Sequence, residues 1–132
     1  MQDVNPLSQL LMVKLLRHIT AGVRVVTVYP RDADGDLIVV QRVGGTMANP
    51  ITDNATFSIQ VFDNTQFAAE QLASAVWRAL YRQEWAGLRI DGHMLRGWKS
   101  AGAPQMFIDP ERPHHVRFQF AGQLMVSTLQ SN

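Results

Sequence analysis

Ala55-Thr56-Phe57-Ser58-Ile59-Gln60-Val61-Phe62 is the stretch whose reading decides the fold. Phe57, Ile59 and Val61 share one parity, and Thr56, Ser58 and Gln60 share the other. That is the period of a half-buried strand. Asp63-Asn64-Thr65 breaks the alternation, and all three are residue types that cap helices. From Gln66 the period becomes helical: Ala68, Leu72, Ala75, Val76, Ala79 and Leu80 fall on one stripe. Full burial of Leu72, Val76 and Leu80 contributes roughly 1.5–3 kcal/mol each. The alanines let such a helix lie close to a sheet. Strand and helix together, Asp53 to Trp85, are the best-patterned part of the chain.

Upstream, Asn5-Pro6 predicts a helix start, with Asn as cap and Pro at the first helical position. Leu7, Leu10, Leu11, Met12, Leu15 and Ile19 supply its apolar side, and Ala21-Gly22 ends it. Val23–Tyr29 and Leu37–Val43 read as two strands of a hairpin around the turn 30–36. Gly44-Gly45 closes the second, and residues 46–54 form a loop. Downstream, Met94–Trp98 reads as a strand. Residues 101–113 hold three prolines and are irregular, with a short extended piece at Met106-Phe107-Ile108. In the last stretch Val116, Phe118, Phe120, Gly122, Leu124 and Val126 keep one parity without a slip, which predicts one long strand and no bulge. The sum is an α+β domain spanning residues 1–132: a mainly antiparallel sheet of four to five strands with two helices on one face. The hairpin is apolar on both faces: Val23 and Val25 against Val26 and Val28 in its first strand, and Leu37 and Val39 against Ile38 and Val40 in its second. Its second face therefore needs a cover. The segment 101–113 and a neighbouring subunit are both candidates.

Bulk properties narrow the function. A chain of 132 residues suffices for one core, and 46% hydrophobic with 17% charged residues is ordinary globular composition. A net charge of +1 carries no global argument for nucleic acid or an anionic membrane. The absence of cysteine excludes disulfides and thiolate chemistry. No apolar run approaches the ~18 residues of a membrane span, and the N-terminus does not read as a signal peptide.

Chemical motifs are weak. Asp32-Ala33-Asp34-Gly35-Asp36 alternates acids like a calcium loop, but its glycine comes too early and position twelve is Val43. It reads as a solvated turn. His114 and His115 point to opposite faces of a strand, and neither they nor His93 have zinc-site spacing. Gly44-Gly45-Thr46 lacks the lysine and helix of a phosphate loop, and no serine lies in a nucleophile-elbow context. Catalytic residues, cofactor and metal ligands are therefore all expected to be absent. Trp77, Tyr81 and Trp85 run beside the helix stripe, and either core packing or an aromatic interface patch accounts for them.

The wording of the chain resembles the tail terminator proteins of long-tailed bacteriophages, especially those of actinobacterial hosts. The resemblance lies in Ile19-Thr20-Ala21-Gly22-Val23-Arg24-Val25, in Ile38-Val39-Val40-Gln41-Arg42-Val43-Gly44-Gly45-Thr46, in Asp53 through Val61, and in Ala68-Ala69-Glu70-Gln71-Leu72-Ala73. It covers most of residues 7–82 and loosely the final strand. It implies a non-enzymatic virion protein without cofactor, located at the head-proximal end of the tail and built in the host cytoplasm. Six copies form a ring that caps the tail tube, stops its polymerisation and meets a head-completion protein. The partners it implies are further copies of the chain, the major tail tube protein and the head-completion protein; DNA passes through without specific binding, and no membrane is involved. A ring needs two different patches per subunit. Trp77, Tyr81, Trp85, Ile38 and Val40 are the interface candidates, and Asp32, Asp34 and Asp36 the lumen-facing candidates. Two readings stand beside it: another connector or tail-completion protein of a virion, and a small α+β enzyme or ligand-binding domain with a concave apolar pocket.

Overall fold

The computed structural model describes residues 2–3 and 5–131. In chain order its elements are β1 (Gln2–Asp3), α1 (Ser8–Thr20), β2 (Arg24–Val26), β3 (Leu37–Asn49), β4 (Thr52–Asp63), α2 (Gln66–Arg82), β5 (Arg89–Ile90), β6 (His93–Ser100), β7 (Gln105–Phe107) and β8 (Val116–Gln130). The predicted class holds: two helices and a mostly antiparallel sheet. The sheet is larger than four to five strands. Its main path runs β2-β3-β4-β8-β6-β5, and β1 and β7 also pair with β8.

β4 and β8 form as their alternation dictates. Ala55, Phe57, Ile59 and Val61 are buried, with Phe118, Phe120, Leu124 and Val126 beside them on the same face. All twelve residues of β4 pair with β8 in one unbroken register, Thr52 with Ser127 through to Asp63 with Val116. Gly122 sits in that ladder without a bulge. A Cβ there would lie 2.1 Å from the Trp98 ring, so the glycine makes room for β6's indole. Both helices share one core with this face of the sheet.

Each helix is turned from its predicted facing. α2 is capped by Thr65, whose hydroxyl accepts from the Ala68 N–H at 3.1 Å. Its buried residues are Ala69, Ala73, Val76 and Leu80, whereas Ala75 is exposed and Ala68, Leu72 and Ala79 are half-buried. With small residues on adjacent stripes, the sequence leaves the rotation open, and packing chooses the stripe that seats alanine backbone closest to β4 and β8. α1 begins at Ser8, not at Pro6, and Leu7 is its N-cap without a side-chain cap. The Ser8 hydroxyl donates to the Asp53 carboxylate at 2.6 Å, which pins the first turn to the sheet and leaves Asn5 and Pro6 outside. Leu11, Met12, Val13, Leu15 and Leu16 are buried, but Leu7 and Leu10 are exposed.

Three connections differ from expectation. β2 and β3 are not a hairpin: they pair parallel, Arg24 with Leu37 and Val26 with Val39. The ten residues 27–36 carry the chain back to the starting end, a short route for a parallel crossover. Burial stabilises that return. Tyr29 and Ala33 pack on Leu37, Val39 and Phe62, the second face of the sheet. The cover is thus loop 27–36, and residues 105–107 extend the sheet instead as β7. Lastly, Gly44-Gly45 does not end β3, which runs on to Asn49 through a register shift between Arg42 and Gly44. Gly45 has φ +125°, and a Cβ would meet Asn54 O at 2.0 Å, so the glycine permits close pairing with β4.

Val76→Asp is expected to abolish the cooperative thermal transition, because a buried unpaired carboxylate costs several kcal/mol against a domain stability of about 5–15 kcal/mol. Ala75→Asp, one residue away but exposed, is expected to shift stability by less than about 0.5 kcal/mol. Circular dichroism melts of both variants check the facing of α2.

Candidate functional site

The predicted interface residues separate into two groups. Ile38 and Val40 are wholly buried in the core, and Trp85 is buried with its indole N–H donated to Ala79 O at 3.2 Å. None of the three has surface left for a neighbour. Ile38 and Val40 face inward opposite Val61 and Ile59, on the face the helices cover. Trp77 is half-buried and donates to the Ser100 hydroxyl at 2.9 Å. Tyr81 is 66% exposed and stacks on Trp77 with ring centroids 6.3 Å apart. It is the one residue of the five with a mainly exposed side chain.

Exposed apolar side chains also lie at the two ends of the sheet. At one end, α1 and β2 border a groove of about 830 Å³. The exposed Leu7 (70%) and Leu10, the half-buried Val26 and the buried Val13 and Val25 line it, with Arg17 and Arg42 as its charged residues. Among the described residues, no strand pairs with the outer edge of β3 past Val39. That edge carries exposed Val43 and Met47. Arg42 is held in place: its backbone N–H donates to Gln9 Oε1, and its guanidinium grips both oxygens of Asp53 at 2.9 Å. Asp53 is buried and also accepts from Ser8, so a carboxylate on an inward strand position is fully partnered.

At the other end, β7 pairs with β8 at residues 117–119 and presents Met106, Phe107 and Ile108. Ile108 is 82% exposed. The Arg117 guanidinium lies 5.1 Å from the Phe107 ring centre. Asp109 and Glu111 follow directly, and Asp109 pairs with Arg112 at 2.8 Å.

Asp32, Asp34 and Asp36 are exposed on loop 27–36. Asp32 meets Arg24 at 3.4 Å, and Asp34 accepts from Asn64 Nδ2 at 3.0 Å. The loop is clamped by His115. Its Nε2 lies 2.7 Å from Gly35 O, a carbonyl that only accepts, so Nε2 carries the proton. Its Nδ1 lies 2.7 Å from the Tyr29 hydroxyl. Burial pushes the Tyr29 phenol above its ordinary value, against the pull of the Arg112 cation over its ring. His93, by contrast, hydrogen-bonds Ser127 O at 2.9 Å in a different part of the sheet. Among the described residues no group of three or more His, Asp or Glu side chains converges as metal ligands, and no helix is long and apolar enough to cross a membrane.

Beyond the patch covered by loop 27–36, the sheet face opposite the helices carries polar, mostly uncharged side chains. Thr56, Ser58 and Gln60 on β4 stand beside Gln123, Ala121 and Gln119 on β8, all half-buried. Gln119 donates to Ser58 and Gln123 to Thr56, each at 3.2 Å.

Sequence reasoning missed two clusters, Ser8–Arg42–Asp53 and Tyr29–His115–Gly35. The first had a signal: Asp53 continues the inward parity of Ala55, Phe57 and Ile59, and an inward acid requires a partner. The second had none, because its members are 86 residues apart on irregular chain. No model of a known protein family matches this chain, and no curated protein matches it.

Asp53→Ala strands the Arg42 guanidinium and is expected to cost about 2 kcal/mol. That is below the ~3–5 kcal/mol of a fully buried pair, since a third of the Arg42 side chain stays in water. Trp77→Ala is expected to cost about 2 kcal/mol through lost packing and the Ser100 bond, whereas Tyr81→Ala stays within about 0.5 kcal/mol. Urea titrations of the three variants check these values.

Proposed function

We propose that this chain is a tail terminator subunit of a long-tailed bacteriophage. It joins copies of itself into a ring on the head-proximal end of the tail tube, halts tube growth there and offers the surface on which a head-completion protein docks. The observation that carries the reading is the pair of unlike apolar surfaces at opposite ends of one sheet, the α1–β2 groove and the β7 segment. A closed ring requires such a heterologous pair, because each subunit gives one surface and receives the other. The resemblance in residues 19–25, 38–46, 53–61 and 68–73 points to the same class.

The polar sheet face supports the passage of DNA. Amides and hydroxyls that already bond one another offer a weakly charged lining, and a surface without a row of cations does not hold phosphates. Asp32, Asp34 and Asp36, held out on a clamped loop, are proposed to face the same lumen and repel the DNA backbone. Another connector position in the virion uses the same features. A ligand-binding domain is the reading from a different class, and the groove beside α1 is its support, since its volume lies within the ~300–1,000 Å³ of ligand pockets.

The test is to add the protein to polymerising cognate tail-tube subunits and to image the tubes by negative stain. Arrested tubes with a ring of added density at one end are expected. Tubes of unchanged length with bare ends overturn the proposal.

A further inference from the structure

The chain is near neutral as a whole, but its charge is unevenly placed. Residues 78–99 hold five cations, Arg78, Arg82, Arg89, Arg96 and Lys99, against two acids, Glu84 and Asp91. Asp91 is already bound by Lys14 at 2.8 Å. Three of the cations border the open face of the sheet. Ile90 packs against the core, so its neighbour Arg89, paired with Met94, turns to the face away from the helices. Trp98 is buried in the core, so Lys99 turns the same way, beside Gln123. Arg96 stands between them, exposed at the register shift after Leu95. All three are exposed, and among the described residues none of them pairs with an acid. The row runs about 15 Å along β6, at ~3.3 Å per residue. Unpaired like charges set side by side attract an anion.

We infer that this β5–β6 border, with Arg89, Arg96 and Lys99, holds the phosphates of duplex DNA without reading its sequence. In the middle of the same face, Thr56, Ser58, Gln119 and Gln123 supply hydroxyls and amides and no such row, so the contact falls at the border. Over about 15 Å a duplex presents about nine phosphate charges, at ~1.7 Å of axis per charge, enough to meet all three cations. An acidic protein surface is the other kind of polyanion, and the border lacks what such a partner uses. Protein interfaces are anchored by large apolar or aromatic side chains, and neither β5 nor β6 carries an exposed large hydrophobic residue. Cations on phosphates fix position and carry no sequence information. The inference rests on the terminator reading for the source of the DNA and adds its point of contact. So few contacts release few counterions, so the hold is weak and lets the duplex slide.

The test is fluorescence anisotropy of a short labelled DNA duplex, in two unrelated sequences, titrated with the full chain. Both sequences are expected to bind alike. Affinity is expected to fall about 40-fold between about 50 and 200 mM salt, as three phosphate contacts require. Arg89→Gln/Arg96→Gln/Lys99→Gln is expected to weaken binding at low salt by more than about tenfold and to flatten the salt dependence. Arg31→Gln/Arg78→Gln/Arg82→Gln removes the same charge from exposed positions elsewhere and is expected to bind as the wild type does. Circular dichroism melts of both variants are expected to match the wild type, since every substituted side chain is exposed. Absence of binding at about 50 mM salt, or equal losses in the two triple variants, overturns the contact. Tighter binding of a poly-glutamate of equal charge assigns the border to an acidic protein and overturns it too. The two proposals fail separately. Wild-type protein that caps tubes and binds no duplex keeps the terminator and loses this contact. Duplex binding lost only in the border variant, with bare, growing tubes, keeps the contact and loses the terminator.

Discussion

The β4–β8 ladder is the constraint on which the rest of the structure depends. All of β4 is committed to it in one register, and that register places Phe57, Ile59 and Val61 beside Phe118, Phe120 and Leu124 on a single face. A slip of one residue would turn every one of these side chains to the other face. With this face set, α2 has one surface to pack on, β3 one edge to join and β6 the other. Gly122 is where the ladder yields to tertiary packing. Trp98 occupies the space above it, and no other residue leaves that space free.

Two clusters of buried polar groups tie irregular chain to this frame. Asp53 binds Ser8 and Arg42 together, and so fixes the first turn of α1 against both strands of the β3–β4 hairpin. His115 binds Tyr29 and Gly35 together, and so folds the loop before β3 onto the start of β8. Each is satisfied on every side it presents, which is what burial of a polar group demands. The two clusters hold opposite ends of the sheet and leave its polar face open between them.

That arrangement leaves apolar side chains exposed at two edges of the sheet. Edge strands ordinarily carry charge, proline or a cover. Here the outer edge of β3 carries Val43 and Met47, and the β7 end carries Met106, Phe107 and Ile108. Both surfaces flank a sheet whose remaining open face is hydrophilic. The proposed ring is the reading that gives both of these apolar ends a partner.

The sequence alone determined the elements whose periodicity is strong and local. Strand β4, helix α2 opening after the Asp63-Asn64-Thr65 break, the unbroken β8 and the α+β class follow from alternation and spacing, because neighbours along the chain set them. The tertiary structure alone decided the rest. The parallel pairing of β2 with β3 depends on Tyr29 reaching Phe62 and His115, contacts that no local pattern encodes. The passage of β3 through Gly44-Gly45 depends on how closely Asn54 approaches. The rotation of α2 depends on which alanines meet the sheet. For the same reason Ile38, Val40 and Trp85 went to the core, whereas Leu7, Leu10 and Ile108 stayed in water. An apolar side chain is interior or surface only relative to what the folded chain places against it, and that partner lies far away in sequence.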